Sequence, residues 1–170
     1  DLISLSNSLN LTSNKILKGN YSHAEWEAYL LLEQAKKPGM THQYLSTFYN
    51  QDGKNSYQVL LASLSIKEND SIFDLGCGDG IFADYILGLG LDRMEYLGSD
   101  ISVSEIAIAS KRFGEMPCIS FTEDRGENLP FEDKKFSKVG CHMALHMMHN
   151  PRKVVSEAYR VLMQNGRFSA

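Results

Sequence analysis

The sequence predicts an α/β protein built on a parallel β-sheet with helices on both faces. Short apolar strands alternate with helical patterns from residue 71 to residue 170. This alternation is typical of parallel sheets with right-handed crossovers. A glycine-rich turn follows the first predicted strand, and Asp100 ends the second. Both features are typical of α/β sheets that bind a ligand at the carboxyl ends of their strands.

Composition and charge exclude several classes of protein. The 170 residues include 17 Lys and Arg against 21 Asp and Glu, a net charge of −4. This acidic balance argues against a domain that grips a phosphate backbone, so we expect no nucleic-acid partner. No apolar run approaches the ~18 residues of a membrane span. The three cysteines form no C-x-x-C pair, which disfavours a zinc site or disulfide framework and favours a cytoplasmic location.

The amino-terminal third is predicted to be helical. Residues 1–20 show no clear period and are expected to form a loose arm or one short helix. Ser22 and Glu25 make an S-x-x-E capping box, which predicts a helix start. A short second helix is predicted near 43–49. A third is predicted over 56–64, with Val59, Leu60, Ala62 and Leu64 as its apolar side chains.

The remaining elements alternate in type. The predicted order is strand 71–75, helix 81–89, strand 94–99, helix 102–114, strand 118–122, strand 136–141, helix 150–163 and a strand from 167. A second S-x-x-E box, from Ser102 to Glu105, predicts the start of the second of these helices. Asn150 and Pro151 predict the start of the third. Asn165-Gly166 is predicted to be the turn into the last strand.

The most informative motif is the run F-D-L-G-C-G-D-G at residues 73–80. Glycine permits a positive φ and lets a ligand approach the backbone. The spacing is G-x-G-x-G, and Ile81 stands where the dinucleotide fingerprint has its third glycine. This difference disfavours a nicotinamide dehydrogenase. Asp74 lies inside the strand and needs a partner there, while Asp100 is placed to accept ribose hydroxyls.

Five segments in order resemble the class I methyltransferases that use S-adenosylmethionine, in their small-molecule branch. The segments are 72–80, 97–102, 127–131, 144–151 and 157–166, so the resemblance covers roughly residues 70–168. It implies a Rossmann-like three-layer α/β/α fold with seven strands, of which the last two would be missing here. The chain begins with Asp1 and stops in a predicted strand, so we expect a C-terminally truncated piece of a longer protein. We expect an arm and helical lid at 1–53 and the cofactor domain at 54–170.

The resemblance also implies the cofactor-binding residues. They are Asp74, Gly76, Cys77, Gly78, Gly80, Asp100, Ile101, Arg125, Gly126, Leu129, Cys141 and His142. The glycine turn would cradle the methionine part and Asp100 would bind the ribose. Ile101 and Leu129 would enclose the adenine, and Cys141 or His142 would lie under the sulfonium. The product would be S-adenosylhomocysteine.

Arg125 is the main departure from the family pattern. The family has an acid at this position, which reaches the adenine amine, and here Asp124 lies beside it. Either Asp124 substitutes through a shift of one residue, or the adenine amine is held differently. The two alternatives stay open at the level of the sequence.

The candidates for catalysis and acceptor binding rest on fewer observations. His146 matches a histidine of this branch and is the candidate general base, while Tyr49 and Tyr57 are candidate lid contacts. Three histidines between 142 and 149 fall on one face if the segment is helical, but we expect no metal. The predicted function is methyl transfer to a small-molecule acceptor. A catalytically silent cofactor-binding scaffold and an RNA or protein methyltransferase are the alternatives. Neither the acceptor nor the oligomeric state is predicted.

Overall fold

A computed structural model describes Gly19 and residues 21–170. Five parallel strands form one sheet in the order β3-β2-β1-β4-β5. The strands are β1 (Ser71–Leu75), β2 (Glu95–Asp100), β3 (Ile119–Glu123), β4 (Phe136–Gly140) and β5 (Leu162–Ser169). The helices are α1 (His23–Lys36), α2 (Met40–Leu45), α3 (Ser56–Leu64), α4 (Ile81–Leu87), α5 (Val103–Phe113) and α6 (Pro151–Val161), with a 3₁₀ turn at Leu145–Met147. The predicted α/β class is confirmed.

Two apolar clusters hold the helices to the two faces of the sheet. One cluster includes Leu64 of α3 and Ile86 of α4, which pack on the face that carries Ile72. The other includes Val154 of α6 and Phe73. The strand β1 lies between β2 and β4, and four of its five residues are buried. The result is three layers, with the carboxyl ends of the strands at one edge.

The helices that precede the sheet begin where local caps place them. The Ser22–Glu25 capping box is present in both directions, and α3 has the predicted bounds. The second helix begins at Met40, three residues before the predicted start, because Gly39 adopts a left-handed φ of 76° and starts it directly. The predicted arm in residues 1–20 lies outside the described residues, apart from Gly19. Among the helices described, none is long and apolar enough to cross a membrane.

Three local predictions are wrong. Ser102 precedes α5 but makes no side-chain cap. Its hydroxyl pairs with that of Ser104 at 3.1 Å, and the Glu105 carboxylate accepts the Gly39 N–H at 3.0 Å instead of the Ser102 N–H.

Of the four predicted apolar side chains of α3, Leu60 and Leu64 are buried, but Val59 and Ala62 are exposed. The 165–166 pair lies inside β5 rather than before it. It still bends the chain, because Asn165 has a φ of 65° and the pairing of β4 with β5 is irregular between Leu162 and Arg167.

Candidate functional site

The glycine turn between β1 and α4 is the centre of the candidate site. Gly76, Gly78 and Gly80 all have a positive φ, of 77°, 54° and 79°. A Cβ on Gly80 would lie 2.8 Å from the Phe121 ring, and one on Gly76 would lie 2.4 Å from the Ala144 Cβ. Both positions therefore require glycine for space as well as for backbone conformation.

Acidic side chains from three adjacent strands surround this turn. Asp74 lies in β1, Asp100 ends β2, and Asp124 follows β3. Asp74 Oδ2 accepts the Tyr96 hydroxyl at 2.6 Å. Within the described part of the chain, Asp74 Oδ1 and Asp124 Oδ2 are both buried without a hydrogen-bond partner. Burial raises the pKa of Asp74 to about 7, so this carboxyl is protonated or ionised according to what lies beside it.

Asp100 fastens the turn to the neighbouring strand. Its Oδ2 accepts the Gly78 N–H at 2.9 Å, and its Oδ1 accepts the Ser102 N–H at 2.9 Å. Burial raises the pKa of Asp100, while these two backbone hydrogen bonds oppose that increase. The carboxylate therefore fixes the turn, and each oxygen keeps a further lone pair for a ligand.

Two adjoining cavities lie at this edge of the sheet. The first cavity is lined by Leu75 and Ile101 and by the loop at 124–127. The second cavity is lined by the glycine turn, Asp74 and His142. Both include Gln34, Gly76, Asp100, Ala144 and Met147 in their walls. They therefore form one continuous cleft. Asp100, which ends β2, lies where the two cavities meet.

The structure brings most of the predicted site residues to this cleft. Those that line it are Asp74, Gly76, Cys77, Gly78, Asp100, Ile101, Arg125, Gly126, His142 and Tyr57. Gly80 lines neither cavity and begins α4. Its left-handed φ and the close approach of Phe121 shape the turn instead.

Besides Gly80, four predicted residues do not line the cleft. Leu129 and Cys141 are 4% and 1% exposed and pack in the apolar cluster under α6. Leu129 is therefore not positioned beside the adenine, and Cys141 is not part of the cavity wall. His146 is exposed in the 3₁₀ turn. Tyr49 is 63% exposed and lines a separate surface groove with Phe48.

Two histidines line the second cavity, His42 and His142. The His42 ring lies against the Asp79 carboxylate, while the His142 ring stacks on Tyr57 at a centroid distance of 3.9 Å. The Nε2 of His142 is buried and has no hydrogen-bond partner in the part of the chain that the structure covers. Burial lowers the pKa of His142 to about 4, so the imidazole is neutral at physiological pH. Burial also raises the pKa of Tyr57, helped by the Asp74 carboxylate.

The amino-terminal helices, which are expected to form a lid, line the cleft with side chains that no sequence motif predicts. Glu27, Leu30 and Gln34 of α1 line the cleft, and Glu105 holds the Gly39 backbone between α1 and α2. The capping box predicts α1 as a helix but not where it packs. Among residues 21–170, no three His, Cys, Asp or Glu side chains come together as ligands for a metal ion.

A family model described as "Methyltransferase domain" matches residues 73–170, more than half of the chain. The chain belongs to the methyltransferase domain family. This family uses S-adenosylmethionine, and the predicted membership and Rossmann-like fold are confirmed. The match begins at the first residue of the glycine motif.

Named relatives agree with this assignment. The uncharacterized methyltransferase YcgJ of Bacillus subtilis is 28% identical over 65% of this chain and 43% of its own. Its crystal structure aligns with a TM-score of 0.61 over 66% of this chain and 48% of that chain. The ubiquinone/menaquinone biosynthesis C-methyltransferase UbiE of Bartonella bacilliformis is 32% identical over 68% of this chain and 45% of its own. The chain thus spans less than half the length of these curated relatives.

Proposed function

We propose that the chain binds S-adenosylmethionine along the cleft and transfers its methyl group to a small-molecule acceptor. The observation that carries this proposal is the pair of buried acceptor atoms without partners, Asp74 Oδ1 and Asp124 Oδ2. A buried carboxylate oxygen is costly unless a donor or a positive charge meets it. The cofactor offers an ammonium, a sulfonium, ribose hydroxyls and an adenine amine, which match a cleft lined with acids.

The position of each acid suggests its role. Asp100, in the middle of the cleft, would accept the ribose hydroxyls through the lone pairs that its backbone contacts leave. Ile101 and Leu75 would form the apolar wall beside the adenine. Asp124 would accept the adenine amine. This assignment favours the shift of one residue over the alternative, because Arg125 is paired with Glu27 of α1.

The methyl group of the bound cofactor is electrophilic because it is attached to a sulfonium. The chain's own contribution is to orient the two reactants and exclude water from between them. If the acceptor is a hydroxyl or an amine, its proton must leave as the new bond to carbon forms. His142 Nε2, rather than the exposed His146, is our candidate to take that proton, because it lines the second cavity and has no hydrogen-bond partner among the described residues. Its pKa of about 4 makes it a weak base, so proton removal would add little to the rate.

Relatives of this chain act on different acceptors. One is a quinone-pathway C-methyltransferase, and another, from Marinomonas, is a malonyl-[acyl-carrier protein] O-methyltransferase that is 29% identical over 63% of this chain. The cofactor half of the site is therefore the part that we assign here. A small-molecule acceptor agrees with the acidic charge of the chain, which disfavours nucleic acid.

Calorimetric titration with S-adenosylmethionine tests the proposal. The wild-type chain should bind it. Asp124→Asn should weaken binding about tenfold, since a hydrogen bond to a charged group contributes about 1.5–3 kcal/mol and the neutral one that replaces it about 0.5–1.5 kcal/mol. Asp133→Asn is the matched control, because this exposed carboxylate pairs with Arg160 and lines neither cavity. No binding by the wild-type chain would refute the proposal. Binding without turnover over a broad acceptor panel would favour the silent scaffold.

A further inference from the structure

One face of α1 forms a wall of the cleft, although it lies about 50 residues before the glycine turn. Glu27, Leu30 and Gln34 recur at spacings of three and four, so they lie on the same side of the helix. Gln34 lines both cavities. Its Oε1 is buried and meets no donor among the residues that the structure describes. A carboxamide oxygen in this position is available to accept a hydrogen bond from a ligand in the cleft.

An ion pair fastens this helix to the far side of the cleft. Arg125 Nη1 donates to Glu27 Oε2 at 3.0 Å, and Nη2 donates to Oε1 at 2.6 Å. This two-bond geometry fixes direction as well as distance. The same hydrogen bonding lowers the pKa of Glu27, so the pair stays ionised at neutral pH. The partners are 98 positions apart in sequence.

A second contact closes the same rim. The rings of His23 on α1 and His149 lie 4.6 Å apart. His149 lines the first cavity, and His23 Nε2 lies 4.0 Å from Glu27 Oε2. The helix is thereby held to the loop after β3 through Arg125 and to the loop after β4 through His149. Both loops border the cavity in which we place the adenosine.

We propose that Arg125 and Glu27 form a clasp that makes α1 a wall of the cofactor site and places the Gln34 carboxamide against the bound cofactor. Arg125 and Glu27 are positioning residues, and Gln34 makes the contact. The inference rests on the proposed function. It also gives a role to the arginine that departs from the family pattern: Asp124 supplies the acid, and position 125 holds the helix.

Calorimetry with S-adenosylhomocysteine measures the clasp without catalysis. We expect Glu27→Gln and Arg125→Gln each to weaken binding about two- to fivefold, as for a half-exposed ion pair. The double variant should bind like either single variant, because both substitutions remove the same interaction. Gln34→Ala should weaken binding about five- to tenfold. Glu33→Gln is the matched control, since Glu33 pairs with Lys36 inside α1 and lines neither cavity.

Hydrogen exchange in the ligand-free protein gives an independent result. The amides of α1 should exchange faster in Glu27→Gln and Arg125→Gln than in wild type, and at the wild-type rate in Glu33→Gln. If wild type binds the ligand while the Glu27, Arg125 and Gln34 variants bind it as tightly as Glu33→Gln does, the clasp is refuted and the proposed function stands. If wild type does not bind, the proposed function itself fails.

Discussion

The buried Asp74 should make the ligand-free protein less stable as the pH rises. Its pKa is raised from the usual 3.8 to about 7, chiefly by burial, while the Tyr96 hydrogen bond opposes the increase. Between these two pH values the folded state keeps a proton that the unfolded state has lost. Stability must therefore fall as the pH increases through this window. At 1.36 kcal/mol per pH unit, the loss is about 4 kcal/mol as an upper figure.

Asp74→Asn isolates this contribution. The amide keeps an oxygen that can accept the Tyr96 hydroxyl, and it never ionises. Urea unfolding should show the variant gaining stability relative to wild type from about pH 4 to pH 8, by up to about 4 kcal/mol. Burial lowers the pKa of His142, which has the opposite pH dependence. That effect is common to both proteins and cancels in their difference.

The same substitution should weaken binding of S-adenosylmethionine, because the ionised carboxylate attracts a cation and the amide does not. The expected result is thus a variant that is more stable at pH 8 and binds the cofactor less tightly. Unfolding curves of the two proteins that stay parallel from pH 4 to pH 8 would show that Asp74 titrates normally. In that case burial does not raise the pKa of Asp74, and the predicted loss of stability at high pH is wrong.

Three further predictions concern the turn, the loop before β4 and the second cavity. In urea unfolding, Gly80→Ala should lower the free energy of unfolding by about 2–3 kcal/mol, because the new Cβ meets the Phe121 ring. Gly90→Ala is the control and should cost only about 1 kcal/mol, because Gly90 has a similar φ but nothing within 4 Å of its Cβ position. Arg160→Lys should cost about 1–2 kcal/mol in thermal unfolding, since Arg160 donates to two backbone carbonyls of that loop; an unchanged midpoint would contradict this. The imidazole of His142 should stay neutral down to about pH 5 in an NMR titration, and a pKa near 6.5 would show that its site is wet.

The sequence predicts the sheet well because the residues that begin and end its strands and helices are neighbours in the sequence. The bounds of β1 and α3 are as predicted, since one strand runs into a glycine turn and Asn55 caps the helix. The Ser102–Glu105 box is wrong for a reason that no local pattern contains. Glu105 contacts Gly39, 66 positions away, so its carboxylate does not return to the Ser102 N–H, which donates to Asp100 instead.

The residues of the candidate site also fall into two groups, those that a local motif identifies and those that only packing brings to the cleft. The glycine turn and Asp100 follow from residues adjacent in sequence and line the cleft as predicted. Leu129 packs under α6 because the cluster around Phe73 buries it there, which a motif cannot show. Gln34 and Glu27 carry no motif at all. Only the packing of α1 on the cleft gives these two residues a place in the site.

The central claim is that the cofactor binds at the carboxyl edge of the sheet, and amide NMR spectra test it most directly. Addition of S-adenosylhomocysteine should shift the amide signals of Gly76, Gly78 and Asp100. The signals of Asn69 and Arg93, which line a groove at the opposite edge, should not move. Shifts confined to that opposite edge, or no shifts at all at saturating ligand, would contradict the account.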